Sequence, residues 1–289
     1  MYDKFFDEVF DKLSKQGIKQ GTVLYVTGDL KGLFYLMATT YGVNLKESKD
    51  DILDELTKRL QALVGKEGTI LIPAFSWAFC RGLGFDVNST KSEVGVYSNW
   101  ILDNRKDFKR TAHAIYSFCV WGKDADKLLA MDNQDAWGEY SVFTYLKNVK
   151  ALQLNIGIES FQGLTFAHYV EQCANVPYRH LKYFFGNYKN AEGVSEVRMY
   201  SMNVRDMDVS TGVALKDSFL LERGCAGKFD VSGVSFTVID LNKSYPFIYD
   251  DIVNNNGAET LYFNSGCLDW SKGKTLPYEI GTIPTNGEQ

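Results

Sequence analysis

Short, largely apolar runs alternate with helix-period stripes through the first two thirds of this chain, and that alternation limits the folds open to it. Residues 22–26 (TVLYV), 70–73 (ILIP), 116–121 (YSFCVW) and 151–158 (ALQLNIGI) read as strands, buried rather than wetted on one face. Between them Phe5, Phe6, Val9, Phe10 and Leu13 recur at helical spacing until Gly17. Ile52, Leu53, Leu56, Leu60, Leu63 and Val64 do the same until Gly65. Further helices are expected over 98–102, 123–130 and 163–174. The expected class is α/β, with a central, largely buried mixed sheet flanked by helices. After Pro177 the rhythm changes. Residues 178–193 are basic and aromatic, and 197–204 and 231–241 read as added strands or hairpins in the C-terminal third. No Pro/Ser-rich linker or repeat interrupts the 289 residues. One domain over 1–289 is expected, elaborated from about 178, with a frayed polar tail at 282–289.

Charge removes one class of function. A formal net charge of −5 and a pI near 5.4 leave no basic stripe for nucleic acid. No apolar run approaches the roughly 18 residues of a membrane span. The five cysteines are scattered, with no C-x-x-C pair, and the amphipathic N-terminus is not a secretory leader. A reducing, cytoplasmic setting is therefore expected. Phosphate-loop, H-E-x-x-H and G-x-S-x-G patterns are all missing. Cys119 and Cys173 lie in apolar contexts, which leaves a cysteine acyl-enzyme as a minor alternative.

Five blocks in one order carry the strongest functional signal. They are GTILIPAFSW (68–77), FDVNSTKSEVG (85–95), HAIYS (113–117), DAWGEYS (135–141) and LTFAHYVE (164–171). Together they resemble the aminoglycoside 3-N-acetyltransferase family, over about residues 21–177 and fading beyond. The resemblance implies acyl-CoA as co-substrate, a small-molecule amine acceptor such as an amino sugar, and direct transfer in a ternary complex. No metal is implied, and His168 with Glu171 would supply only two ligands. Two departures stand out. The family's H-P-T-H-S block has Ala114 and Tyr116 here, and its serine-rich turn, usually preceded by histidine, is replaced by TGDLKGL (27–33).

Acyl transfer to an amine needs a base, because an ammonium has no lone pair, and donors for the developing oxyanion. Histidine is the usual base at neutral pH, and the chain has only His113, His168 and His180. His168 is the leading candidate. Glu171 lies three residues on, on the same helical face, where it would orient the imidazole. In the resembling family T-x-x-H-x-x-E contributes active-site residues, here Thr165, His168 and Glu171. His113 is the second catalytic candidate, with Ser117 orienting the acceptor. Tyr116, a phenol of pKa near 10, would bind or pack rather than act as base.

The donor side is less specific. Thr27, Gly28 and Asp29 occupy the turn after the first strand, and Ser76, Thr90 and Ser92 match family positions expected to line the CoA cleft, with Trp77 beside the substrate. For each serine, turn or cap chemistry is the competing account. Tyr178, Arg179, Lys182 and Tyr183 mix rings with cations, as a nucleotide-linked amino sugar would require. A nucleotide-amino-sugar N-acyltransferase of surface-polysaccharide or lipopolysaccharide assembly is therefore the first expectation. Aminoglycoside acetylation is the alternative, and a non-catalytic binding module on the same fold is a third.

Overall fold

The expected strands lie side by side in one large sheet. The computed structural model describes residues 2–263, 268, 270, 271, 276 and 278–281, so the tail at 282–289 lies outside the described residues. The chain opens with α1 (Asp3–Lys15), β1 (Val23–Gly28), α2 (Lys31–Thr39), α3 (Leu45–Val64) and β2 (Thr69–Pro73). Then come β3 (Phe85–Asp86), α4 (Val96–Asn104), β4 (Lys109–Arg110), β5 (Phe118–Gly122), α5 (Ala125–Leu129) and α6 (Val142–Asn148). β6 (Leu152–Ile156), α7 (Ser160–Gly163) and α8 (Phe166–Cys173) follow. The remainder is β7 (Arg179–Lys189), β8 (Ser195–Arg205), β9 (Thr211–Val213), α9 (Asp217–Glu222), β10 (Ala226–Val231) and β11 (Val234–Asp240). α10 (Leu241–Asn254), β12 (Leu261–Phe263) and β13 (Tyr278–Ile280) complete it.

The central sheet has the order β10-β11-β6-β1-β2-β5-β4. β6, β1 and β2 are parallel, and the flanking strands on both sides run antiparallel. Burial follows the composition. Every residue of β2 is buried, as a strand covered on both faces must be. α1 buries Phe5, Phe6, Val9 and Leu13, whereas Phe10 reaches only the margin. α3 starts at Asn44, whose side chain accepts from the Lys46 amide, and stops at Gly65, where φ is 63°. Around β7, a second sheet gathers β13, β3 and β8.

Two sequence expectations need correcting. The helix expected over 163–174 is two pieces, because Leu164 leaves the helical region with ψ at 67° and α8 begins only at Phe166. The strand expected over 231–241 is mostly the second arm of a hairpin whose first arm, β10, went unread. Ser232 and Gly233 turn it with φ of 52° and 84°, the doubly positive geometry of a two-residue hairpin turn. That hairpin extends the central sheet through β11 on β6.

Gly28 closes β1 against β6. A Cβ there would lie 2.5 Å from the Ile156 carbonyl oxygen and 2.9 Å from the Ile156 Cβ. Backbone cannot swing aside as a flexible side chain can. Gly28→Ala is therefore expected to destabilise the protein by about 1–3 kcal/mol, read as a lower Tm. An unchanged Tm would mean that the two strands are not held this closely.

Candidate active site

α8 presents His168 and Glu171 on one face, and their side chains meet. His168 Nδ1 is 2.5 Å from Glu171 Oε2, with the imidazole 29% exposed and the carboxylate 1% exposed. An ionised carboxylate can only accept, so Nδ1 carries the proton, and in the neutral ring the lone pair is on Nε2. The Tyr178 hydroxyl donates to Glu171 Oε1 at 2.7 Å, and Arg179 Nη2 stands 3.1 Å from Oε2. Arg179 Nη2 is also 3.3 Å from His168 Nδ1, a longer approach than the carboxylate's. Burial alone would raise the Glu171 pKa, but the Arg179 charge and His168 outweigh it and hold it at about 2. Burial, and then the neighbouring carboxylate, push Tyr178 upward, so its phenol stays protonated. The Trp137 ring lies 5.6 Å from the imidazole and flanks it.

The other catalytic candidate does not join this group. His113 is buried, and its Nδ1 accepts from the amides of Ile115 (3.2 Å) and Tyr116 (3.0 Å). Burial pushes its pKa down to about 3, with only partial opposition from the Gln134 backbone. A lone pair already used and a proton so disfavoured make His113 a loop organiser rather than a base. Ser117 is fully buried, donating to the Ala74 carbonyl (2.8 Å) and accepting from Arg110 Nε (2.9 Å). Tyr116 packs 4.8 Å from Trp137 and 4.9 Å from Phe75, ring centre to ring centre. Both belong to the core, not to an acceptor surface.

The proposed donor-side residues are similarly committed. Thr27 Oγ1 donates to Asn155 Oδ1 at 2.8 Å, under the α7–α8 junction. Asp29 accepts from the Lys31 amide at 3.0 Å, just ahead of α2. Ser76 Oγ (3.0 Å) and the Trp77 amide (2.7 Å) both donate to Glu93, which also pairs with Arg81. Thr90 accepts from the Asp86 amide and Ser92 from the Val94 amide. Turn chemistry accounts for the Thr90 and Ser92 hydroxyls, whereas those of Thr27 and Ser76 are held by side chains distant in sequence. Trp77 is half-buried. Thr27, Gly28 and Asp29 nonetheless stand at the carboxyl end of β1, where ligands of open α/β sheets gather.

Tyr178 and Arg179 need a further correction. Tyr178 is 0% exposed and Arg179 8%, so neither offers a face to a nucleotide. Cys119 is buried and its thiol is pushed up to about 12 by burial, which removes it as a nucleophile. Among the described residues no group of three or more His, Cys, Asp or Glu is disposed to hold a metal. No helix among them is long and apolar enough to cross a membrane.

Sequence reasoning gave Arg179 another role and did not single out Trp137 or Asp135. Arg179 reaches Glu171 from a different element, which no local spacing reveals. Asp135 accepts from the Trp137 amide (3.1 Å) and from Gln172 Nε2 (2.7 Å), tying the 135–141 block to α8. It also lines a cleft of about 810 Å³, with Asp132, Glu139, Tyr140, Thr144 and Lys127. The DAWGEYS block was the available signal for both Trp137 and Asp135.

Comparison with known proteins identifies the family and the fold. A sequence model of the family described as aminoglycoside 3-N-acetyltransferase matches residues 46–248, reaching well past Pro177. No curated protein matches the sequence. The structure is similar to aminoglycoside acetyltransferase AAC(3)-Xa, with 16% identity, 86% of this chain and 92% of that one covered, and a TM-score of 0.67. It is similar to AAC-IIIb, solved as a binary complex with CoASH, with 17% identity, 85% and 95% covered, and a TM-score of 0.66. AAC-VIa bound to sisomicin gives 18% identity, 86% and 97% covered, and a TM-score of 0.66. At these identities the structural likeness establishes the fold.

Proposed function

This chain belongs to the aminoglycoside 3-N-acetyltransferase family, and we propose that it acylates an amine of an aminoglycoside-type acceptor with His168 as general base. Membership makes it an acyl-CoA-dependent amine N-acyltransferase. The observation that carries the site is the 2.5 Å contact between a partly exposed imidazole and a buried carboxylate. His168 Nε2 takes a proton from the acceptor ammonium. The freed amine attacks the thioester carbonyl, the C–N bond forms, the C–S bond breaks, and the remaining proton of the attacking nitrogen passes to the departing sulfur, so that CoA leaves as the thiol. Glu171 keeps the proton of Nδ1 in place and offsets the charge of the imidazolium. CoA supplies the activated acyl group and the leaving thiol.

Two observations favour a polyamine over a nucleotide-linked sugar. Tyr178 and Arg179, the residues that suggested a nucleotide platform, are both inside the protein. The cleft lined by Asp135, whose carboxylate accepts from Gln172 of α8, carries Asp132, Asp135 and Glu139 against Lys127. Carboxylates attract an acceptor with several ammonium groups and repel a diphosphate.

The test is thiol release from acetyl-CoA with sisomicin, apramycin and a kanamycin-type acceptor, beside dTDP- and UDP-linked amino sugars. Release with at least one aminoglycoside and none with the nucleotide sugars is expected. Release with a nucleotide sugar alone would reverse the acceptor assignment.

A further inference from the structure

Arg179 is buried at the start of β7, yet it is directed at neither the surface nor solvent. Its Nη1 reaches the Asn203 carbonyl at 3.3 Å, and its Nη2 reaches Glu171 Oε2 at 3.1 Å. The preceding residue, Tyr178, holds the other carboxylate oxygen at 2.7 Å. Glu171 therefore has each oxygen fastened from the 178–179 segment, while its backbone belongs to α8. A glutamate side chain on a helix has several rotamers of similar energy. Only one that keeps Oε2 at His168 Nδ1 fixes the tautomer leaving Nε2 free. The Asn203 anchor on β8 holds the guanidinium in turn, so the pin is itself braced by the second sheet.

We propose that Arg179 is a positioning residue: it holds the Glu171 carboxylate against His168 Nδ1 and so presents Nε2 to the acceptor amine. This rests on His168 being the base. The competing account makes Arg179 a tie between α8 and β7, needed for stability and irrelevant to turnover in the folded protein. A substrate-binding account makes it a contact for CoA or acceptor. The three differ in what they change. Loss of a pin lowers kcat, loss of a tie lowers Tm alone, and loss of a binding contact raises KM.

Arg179→Gln and Arg179→Lys separate them. Lysine keeps the charge but replaces a planar fork with a single point donor, and it serves as the folded comparison should the glutamine variant not fold. The first measurement is ¹⁵N NMR of the histidine rings at a pH where His168 is neutral; with only three histidines in the chain, assignment is tractable. Wild type is expected to show a protonated Nδ1 and a free Nε2 at His168. Both variants are expected to shift toward a mixture of tautomers, Arg179→Gln further than Arg179→Lys. The second measurement is steady-state kinetics. A fall in kcat of about 10- to 100-fold is expected, smaller for lysine, with KM for each substrate within about 3-fold of wild type.

A folded variant that retains the Nδ1–H tautomer and wild-type kcat overturns the proposal, as does a rise in KM at unchanged kcat. The tautomer measurement needs no acceptor. A wrong acceptor assignment would thus leave the kinetics silent while the ring nitrogens still report on Arg179.

Discussion

His168→Ala is expected to lower kcat by about 10²- to 10⁴-fold, the usual contribution of a positioned general base. KM for both substrates should change little, because the imidazole acts on a proton that moves only as bonds change. The fold should survive. His168 is partly exposed, and its removal leaves Glu171 still bonded to Arg179 and Tyr178. The cost in stability should stay within about 2 kcal/mol, the worth of a hydrogen bond to a charged group. A pH series sharpens the test. As pH rises toward the acceptor amine's own pKa, more of that amine is already neutral, so the gap between wild type and variant should narrow. His113→Ala makes the contrasting control, since His113 Nδ1 is engaged by two backbone amides. A His168→Ala variant within tenfold of wild-type kcat at neutral pH would move the base elsewhere.

How far the sequence could be read depended on whether a signal was local. β2 declared itself because a strand buried on both faces is mostly apolar, whereas β6 carries Gln153 and Asn155, buried and bonded to each other, and was legible from its leucines and isoleucine. The pairing of His168 with Glu171 was legible for the same reason: an i, i+3 spacing places both on one helical face. α10 was not legible, since Pro246 interrupts its pattern; the structure starts it with Asp240, whose side chain accepts from the Lys243 amide at 2.9 Å. Arg179 was misread for a deeper reason. Beside Tyr178 and Lys182 it looked like a cationic, aromatic surface, and only the approach of β7 to α8 turns it inward onto a carboxylate. His113 shows the converse. Its type fitted a catalytic role, but the amides of Ile115 and Tyr116, two and three residues along, engage its ring nitrogen and assign it to the loop.

Glu171→Gln should be the most costly of these changes to stability. Glutamine keeps the shape but removes the countercharge of Arg179, a guanidinium whose side chain is only 10% exposed. Breaking a buried pair from one side typically costs about 3–5 kcal/mol, because the remaining charge stays desolvated. The pH dependence follows from the Glu171 pKa, which is depressed from an ordinary 4.5 to about 2. Above about 4.5 the ionised carboxylate contributes its full stabilisation. That contribution declines as pH falls toward about 2, where the folded protein also takes up the proton. The gap between wild type and Glu171→Gln, measured by urea unfolding, should therefore be open at neutral pH and close across that acid window. Glu93 and Asp107 are also held at about 2, by hydrogen bonds from Arg81 and Arg105, and lose stabilisation over a similar range. They are present in both proteins and cancel in the difference. Adding Arg179→Met to Glu171→Gln should recover part of the loss, since removing both charges leaves neither stranded. A gap that persisted unchanged to pH 3 would mean that packing rather than charge holds Glu171 in place. The imidazole would then be oriented by shape alone, and the ion pair would have no claim on the chemistry.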